Sequence, residues 1–250
     1  DNNFEISGSA NAGVVSTGGA LTFETTNNAI STVKFKDIAA HNHSTNLVGV
    51  YVTNAGTNTV KNYDFKDEGT TSNSTGVYVL KTGSTAPTLE VTDATYSFNG
   101  SSDHGIYVNG AKLVNVNSTN RPSSFYMKGE KSNGIYMASG STLDAATIDA
   151  SFSLDGEHSN GIRLDNAITN TNTFRGNFNL AGANSNGIFF NNTSATNNIH
   201  ASFYLNSGSD NSNGIWIARD VATALNVNGS IFGILSNNSN GIYVGSGNGN

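Results

Sequence analysis

The chain of 250 residues has no cysteine, 12% charged residues and a formal net charge of −6, and its Lys and Arg residues never cluster. The lack of a basic patch argues against nucleic acid or an anionic membrane surface as partner, and the lack of thiols excludes disulfides and thiolate metal sites. Only 36% of the residues are hydrophobic, and no apolar run nears the roughly 18 residues of a membrane helix, so one large compact core is poorly supplied.

Residues 1–46 carry a weak pattern: Gly18-Gly19-Ala20-Leu21-Thr22-Phe23 reads as a degraded strand entry and Val33/Phe35 as a later strand, a degenerate first coil or two. From 47 to 250 the chain repeats. Glycines 49, 76, 105, 134, 161, 187, 214 and 241 are spaced by 27, 29, 29, 27, 26, 27 and 27 residues, and the last five stand inside an identical tetrad, Ser-Asn-Gly-Ile. A fixed period of this size, tolerant of small insertions, marks a repeat architecture.

Each glycine opens a short strand, from Val50-Tyr51-Val52 through Ile135-Tyr136-Met137 and Ile188-Phe189-Phe190 to Ile242-Tyr243-Val244. Alternation turns the first and third members to one face and the middle member to the other. A second patterned segment precedes the next glycine (Phe125/Met127, Phe152/Leu154, Phe178/Leu180, Phe203/Leu205), and a weaker third lies between (Leu89/Val91, Val114/Val116, Ile148, Phe174, Ile199). Three short strands separated by Gly, Asn, Ser and Thr make one triangular coil. The expected fold is an all-β, right-handed parallel β-helix of about eight or nine coils with a repeat of about 27 residues; the hand follows by analogy, because no hexapeptide rhythm is present. The first residues, Asp1-Asn2-Asn3, and the run Gly245 to Asn250 after a first strand lead to the expectation of a segment excised from a longer repetitive protein.

In such a stack equal offsets form columns. The tetrad then builds an asparagine ladder at Asn133, Asn160, Asn186, Asn213 and Asn240 beside a serine column at Ser132, Ser159, Ser185, Ser212 and Ser239. Asn tolerates the left-handed conformation and Gly a sharp corner, so the tetrad is expected to form the corner. The outward column is Tyr51, Tyr78, Tyr107, Tyr136, Arg163, Phe189, Trp216 and Tyr243, of which seven of eight are aromatic. Such a stripe serves either as a contact surface or simply as a cross-coil stack that stabilises the sheet. For contact, the most varied stretch is the candidate site: Tyr136, Arg163, Phe189, Trp216 and Tyr243.

Catalysis needs acids that converge. The best cluster sets Lys128, Glu130 and Lys131 in one turn over Asp155, Glu157 and His158 in the next, with Asp103 and His104 nearby. Glu130 and Glu157 would lie one coil apart, close to the spacing of a retaining glycosidase pair, but Lys128 over Asp155 reads equally as a charge pair on a solvated turn. His41-Asn42-His43 supplies two metal positions without an evident third, and the glycine-rich calcium nonapeptide is absent, so no metal or cofactor is implied.

Coils of this size with an asparagine ladder, many Asn, Gly, Ser and Thr residues, few charges and no Cys resemble the β-helical passenger domains of bacterial autotransporters and related surface adhesins. The resemblance covers roughly residues 47–250. It implies export across two membranes, display at the bacterial cell surface and a role in adhesion or toxicity; the expectation is a non-enzymatic segment, itself not inserted in the membrane, that mediates or projects adhesion to a host-cell or bacterial surface protein or glycan. A polysaccharide lyase or glycosidase on the same fold is the alternative.

Overall fold

A computed structural model describes residues 3–37, 44–69, 71–165, 171–191, 196–218 and 224–245. The chain is an all-β parallel solenoid of about eight turns with a spacing of about 28 residues. The first strands of successive coils, from Ala12–Ser16 and Val48–Val52 to Asn213–Ala218 and Asn240–Gly245, stack in parallel into a nine-stranded sheet. Second and third strands, such as Thr88–Thr92 and Thr95–Phe98, form the other two faces. In three coils these two run together as single long strands, Thr142–Leu154, Asn172–Leu180 and Thr196–Leu205, which joins both faces into one 14-stranded sheet.

The first coil is longer than the repeat, since Val14 pairs with Val50, 36 residues on. This places the first strand entry at Ala12-Gly13-Val14, aligned with Val48-Gly49-Val50, and not at Gly18-Gly19. Thr22 and Phe23 belong instead to a second strand that pairs with Thr59 and Val60. Val33 and Phe35 do lie in a later strand, Ser31–Lys36.

The core repeats as the alternation requires. Val50/Val52, Ile106/Val108, Ile162/Leu164 and Ile188/Phe190 are all at most 1% exposed, each such pair contributing roughly 3–6 kcal/mol of burial before entropy is subtracted. Opposite them runs an inner column of rings, Phe65, Tyr96, Phe125, Phe152, Phe178, Phe203 and Phe232, stacked in parallel at 4.6–5.1 Å between centroids.

This column explains the glycine of the tetrad. A Cβ on Gly134 would stand 2.7 Å from both the Phe152 ring and the Gly161 carbonyl oxygen, and the same two obstacles meet every repeat glycine from Gly49 to Gly187. The glycine is the hollow into which the ring packs, within the strand and not at a corner. The corner lies before the serine, where Lys131, His158, Asn184, Asn211 and Asn238 have φ between 50 and 58°. Asparagine does take this left-handed position, but it is the asparagine preceding the tetrad, while the tetrad asparagine opens the strand.

The ladder itself is present. Asn160, Asn186, Asn213 and Asn240 each donate Nδ2–H to the Oδ1 of the asparagine one coil before, at 2.9–3.0 Å. The serine column works differently: each hydroxyl oxygen accepts the backbone N–H of the residue one coil before, Ser132 from Asp103 and Ser159 from Ser132, both at 3.1 Å, and donates to a backbone carbonyl. Except at the last rung, where Ser239 is half-buried and Asn240 exposed, these groups are buried, so their satisfaction matters more than the roughly 1 kcal/mol each bond nets.

Candidate functional site

Strand pairing places the outward column as the alternation implies: Val15, Tyr51, Tyr78, Tyr107, Tyr136, Arg163, Phe189, Trp216 and Tyr243 are successive partners across the nine-stranded sheet. Its two halves differ. Tyr78 lies parallel to Tyr107 at 4.8 Å and Tyr107 to Tyr136 at 5.0 Å, with Tyr51 tilted over Tyr78 at 5.3 Å. The ring faces are therefore occupied by one another, and solvent meets edges and phenol oxygens.

From Tyr136 onward the column closes on itself. The Arg163 guanidinium sits between the Tyr136 and Phe189 rings, at 5.3 and 5.6 Å from their centroids, and its Nε donates to both oxygens of Asp165 at 3.0–3.1 Å. Asp165 also accepts from the Tyr136 hydroxyl at 2.9 Å and from Asn191 Nδ2 at 3.1 Å. Burial, then the Asp165 hydrogen bond and charge, push the Tyr136 phenol up to about 12. Trp216 stands edge-on to Phe189 at 5.4 Å and donates from Nε1 to the Gly245 carbonyl. The expected exposure fails at Phe189, which is 1% exposed between its two neighbours, whereas Tyr243 is 37% exposed. Arg163 carries the column's one charge, but Asp165 neutralises it. Asp165 falls outside the tetrad and its strand triplet; the signal for it was its offset of two from Arg163, which puts both on one face of an extended chain.

The asparagine ladder ends on His104, whose Nδ1 faces Asn133 Nδ2 at 3.3 Å. Asn133 Oδ1 already accepts from Asn160, so the amide turns its donor to the ring. His104 Nδ1 must then be the acceptor, which leaves the proton on Nε2. The ring lies against Tyr107 and Tyr136 at 5.2 and 5.3 Å. Burial first, and the Arg163 charge second, push its basicity down to about 4. Beside it, Asp103 is fully buried in the serine column, where its Oδ1 accepts the Ser74 N–H at 2.7 Å. Burial pushes this carboxyl up to about 8 despite that bond, with the Asp67 charge acting in the same direction.

The acidic turn shows none of the features of an enclosed site. Glu130, Lys131, Asp155 and Glu157 are exposed. Glu130 and Glu157 do stack, since the Glu157 carbonyl accepts from Lys131 N and the Glu130 carbonyl from Ser102 N, but the Glu130 carboxylate pairs with Lys131 at 3.6 Å. The alternative reading of a Lys128 to Asp155 charge pair is not met either, since the two side chains form no ion pair among the described residues. His41 and His43 lie outside the described residues, and among those described no three metal-ligating side chains converge.

Comparison with protein-family models, with curated proteins and with solved structures gives no match.

Proposed function

We propose that the chain is a rigid contact segment of a bacterial surface adhesin of the autotransporter-passenger kind, acting by binding and display and not by catalysis. The carrying observation is the outward aromatic column, held in register across the nine-stranded sheet on a rod with few charges. A column fixed by parallel pairing presents contact groups that lose little entropy on binding, and the neighbouring Asn, Ser and Thr side chains supply adaptable hydrogen bonds. Cross-coil stacking stabilises the sheet at the same time. Unpaired phenol groups in the N-terminal coils, which stacking alone does not require, favour contact. The exposed, solvated carboxylates of the turn at 130 and 157 favour a non-catalytic role.

The test applies the labelled chain to host epithelial cells, bacterial cells and immobilised matrix proteins, with a parallel assay for reducing ends released from polysaccharides. Saturable attachment to one of these surfaces without turnover is expected. Absence of attachment to all of them, or turnover abolished by Glu157→Gln, overturns the reading.

A further inference from the structure

In the N-terminal coils a groove of 380 Å³ runs across three successive first strands, and so along the solenoid axis. It is lined by Tyr78 and Tyr107 together with Asn46, Asn73, Ser102 and His104. A second hollow of 260 Å³ continues it past Tyr51 toward the first coil.

The phenol groups here are free, although the Asn46 amide donates to the Thr45 hydroxyl. Among the described residues the hydroxyls of Tyr51, Tyr78 and Tyr107 make no hydrogen bond, in contrast to Tyr136, which is held by Asp165. The His104 ring is engaged at Nδ1, so the Nε2–H is its remaining donor. Free groups in a volume of this size are what a ligand site requires.

We infer that this groove binds a neutral, hydroxyl-rich sugar chain laid along the solenoid axis, about one pyranose per coil. The inference rests on the reading of the outward column as a contact surface, and three observations choose the ligand. First, the lining contains no Lys, Arg, Asp or Glu, so a phosphate, sulfate or uronate would lose its water without gaining a cation. Second, the walls repeat at the coil spacing, 4.8 Å between the Tyr78 and Tyr107 centroids. An extended peptide advances by about 3.3–3.4 Å per residue and falls out of step with such a row, whereas a chain of linked pyranoses steps by nearly one coil. Third, phenol, amide and serine groups donate and accept, as sugar hydroxyls do. Because the ring faces are stacked on one another, recognition works through edges and hydroxyls rather than through a sugar lying flat on a ring.

The experiment titrates the whole chain, by calorimetry, with neutral hexasaccharides (cello-, malto-, laminari- and mannohexaose), with hexagalacturonate, and with an uncharged Gly/Ser/Thr decapeptide. The variant Tyr78→Phe/Tyr107→Phe removes two hydroxyls and keeps both rings; Tyr204→Phe, which removes the hydroxyl of an exposed tyrosine in the other sheet, is the control. Binding of at least one neutral hexasaccharide is expected, weakened about tenfold or more by the double substitution and unchanged by the control. Failure of all four neutral sugars to bind overturns the inference. So does a preference for hexagalacturonate or the peptide, or undiminished sugar binding by the double variant. Cell attachment separates the two claims: attachment that survives Tyr78→Phe/Tyr107→Phe leaves the adhesive function standing and removes the groove, while absence of any attachment removes the function.

Discussion

Replacing Gly161 by Ala tests whether the repeat glycine is a hollow for the inner ring column. The new methyl carbon would stand 2.6 Å from the Gly187 carbonyl oxygen and 2.8 Å from Phe178 Cδ1. The carbonyl belongs to a hydrogen-bonded strand and the ring is stacked on both sides, at 4.6 Å to Phe152 and 4.8 Å to Phe203. Neither can retreat without opening the coil spacing. Overpacking typically costs about 1–3 kcal/mol, and two immobile obstacles put this site near 3 kcal/mol. At about 2–4 °C per kcal/mol for a chain of this size, the midpoint of thermal unfolding followed by circular dichroism should fall by about 6–12 °C. Hydrogen exchange should show the loss concentrated in Asn160–Leu164 and Asn186–Phe190, because a coil contacts mainly its neighbours. Gly83 is the control: a methyl group there meets nothing within 4 Å, so Gly83→Ala should be neutral or slightly stabilising. If Gly161→Ala melts with Gly83→Ala, the hollow is not required and the packing argument fails.

Asn186→Ala strands the Asn160 Oδ1 and the Asn213 Nδ2 in the buried ladder, at about 2–4 kcal/mol; Asn240→Ala, at the exposed last rung, should cost clearly less, and equal urea midpoints would refute a cooperative ladder. Asp103→Ser should gain stability over the parent progressively from about pH 4 to about pH 8. The buried acid has its pKa raised from 3.8 to about 8, so its stabilising proton is fully bound below the unfolded value and lost as pH rises through the folded one, while a serine hydroxyl can still accept the Ser74 N–H. Parallel pH profiles of stability would count against this. Asp165→Asn should bring the Tyr136 phenol down from about 12, read as a tyrosinate titration against Tyr136→Phe; an unmoved titration would mean that burial alone raises it.

The periodic part of the fold was legible because each coil places the same residue types at the same offset. The tetrads announced the asparagine ladder, and Val50/Val52 or Ile188/Phe190 announced the buried face. The sequence was misleading where a residue type serves two ends. Gly is read first as a corner, yet Gly134 is fixed by a ring on another face, Phe152, 18 residues away in the chain. Gly18-Gly19 looked like a strand entry because the first coil runs 36 residues, longer than the period that set the register. Alternation also says which face a side chain takes but not what covers it, and so the burial of Phe189 was out of reach.

The two halves of the outward column share one backbone and differ in what their polar groups already hold. In the C-terminal half Asp165 gathers Arg163, the Tyr136 hydroxyl and Asn191 into one network, which a ligand would have to break before gaining anything. In the N-terminal half the same strand positions carry tyrosines that line a groove, and the ladder ends on a histidine rather than another amide. A histidine at that rung accepts from Asn133 as an asparagine would, so the rung is kept, but its ring reaches the tyrosine row and carries a donor there. In a solenoid the inner columns hold the coils together whatever the outer column carries, so outward residues can diverge coil by coil without disturbing the core. The place to look for recognition is therefore where groups held in register keep a spare polar atom, at the Tyr51, Tyr78 and Tyr107 hydroxyls and the His104 Nε2–H, and not where the largest and most varied side chains stand.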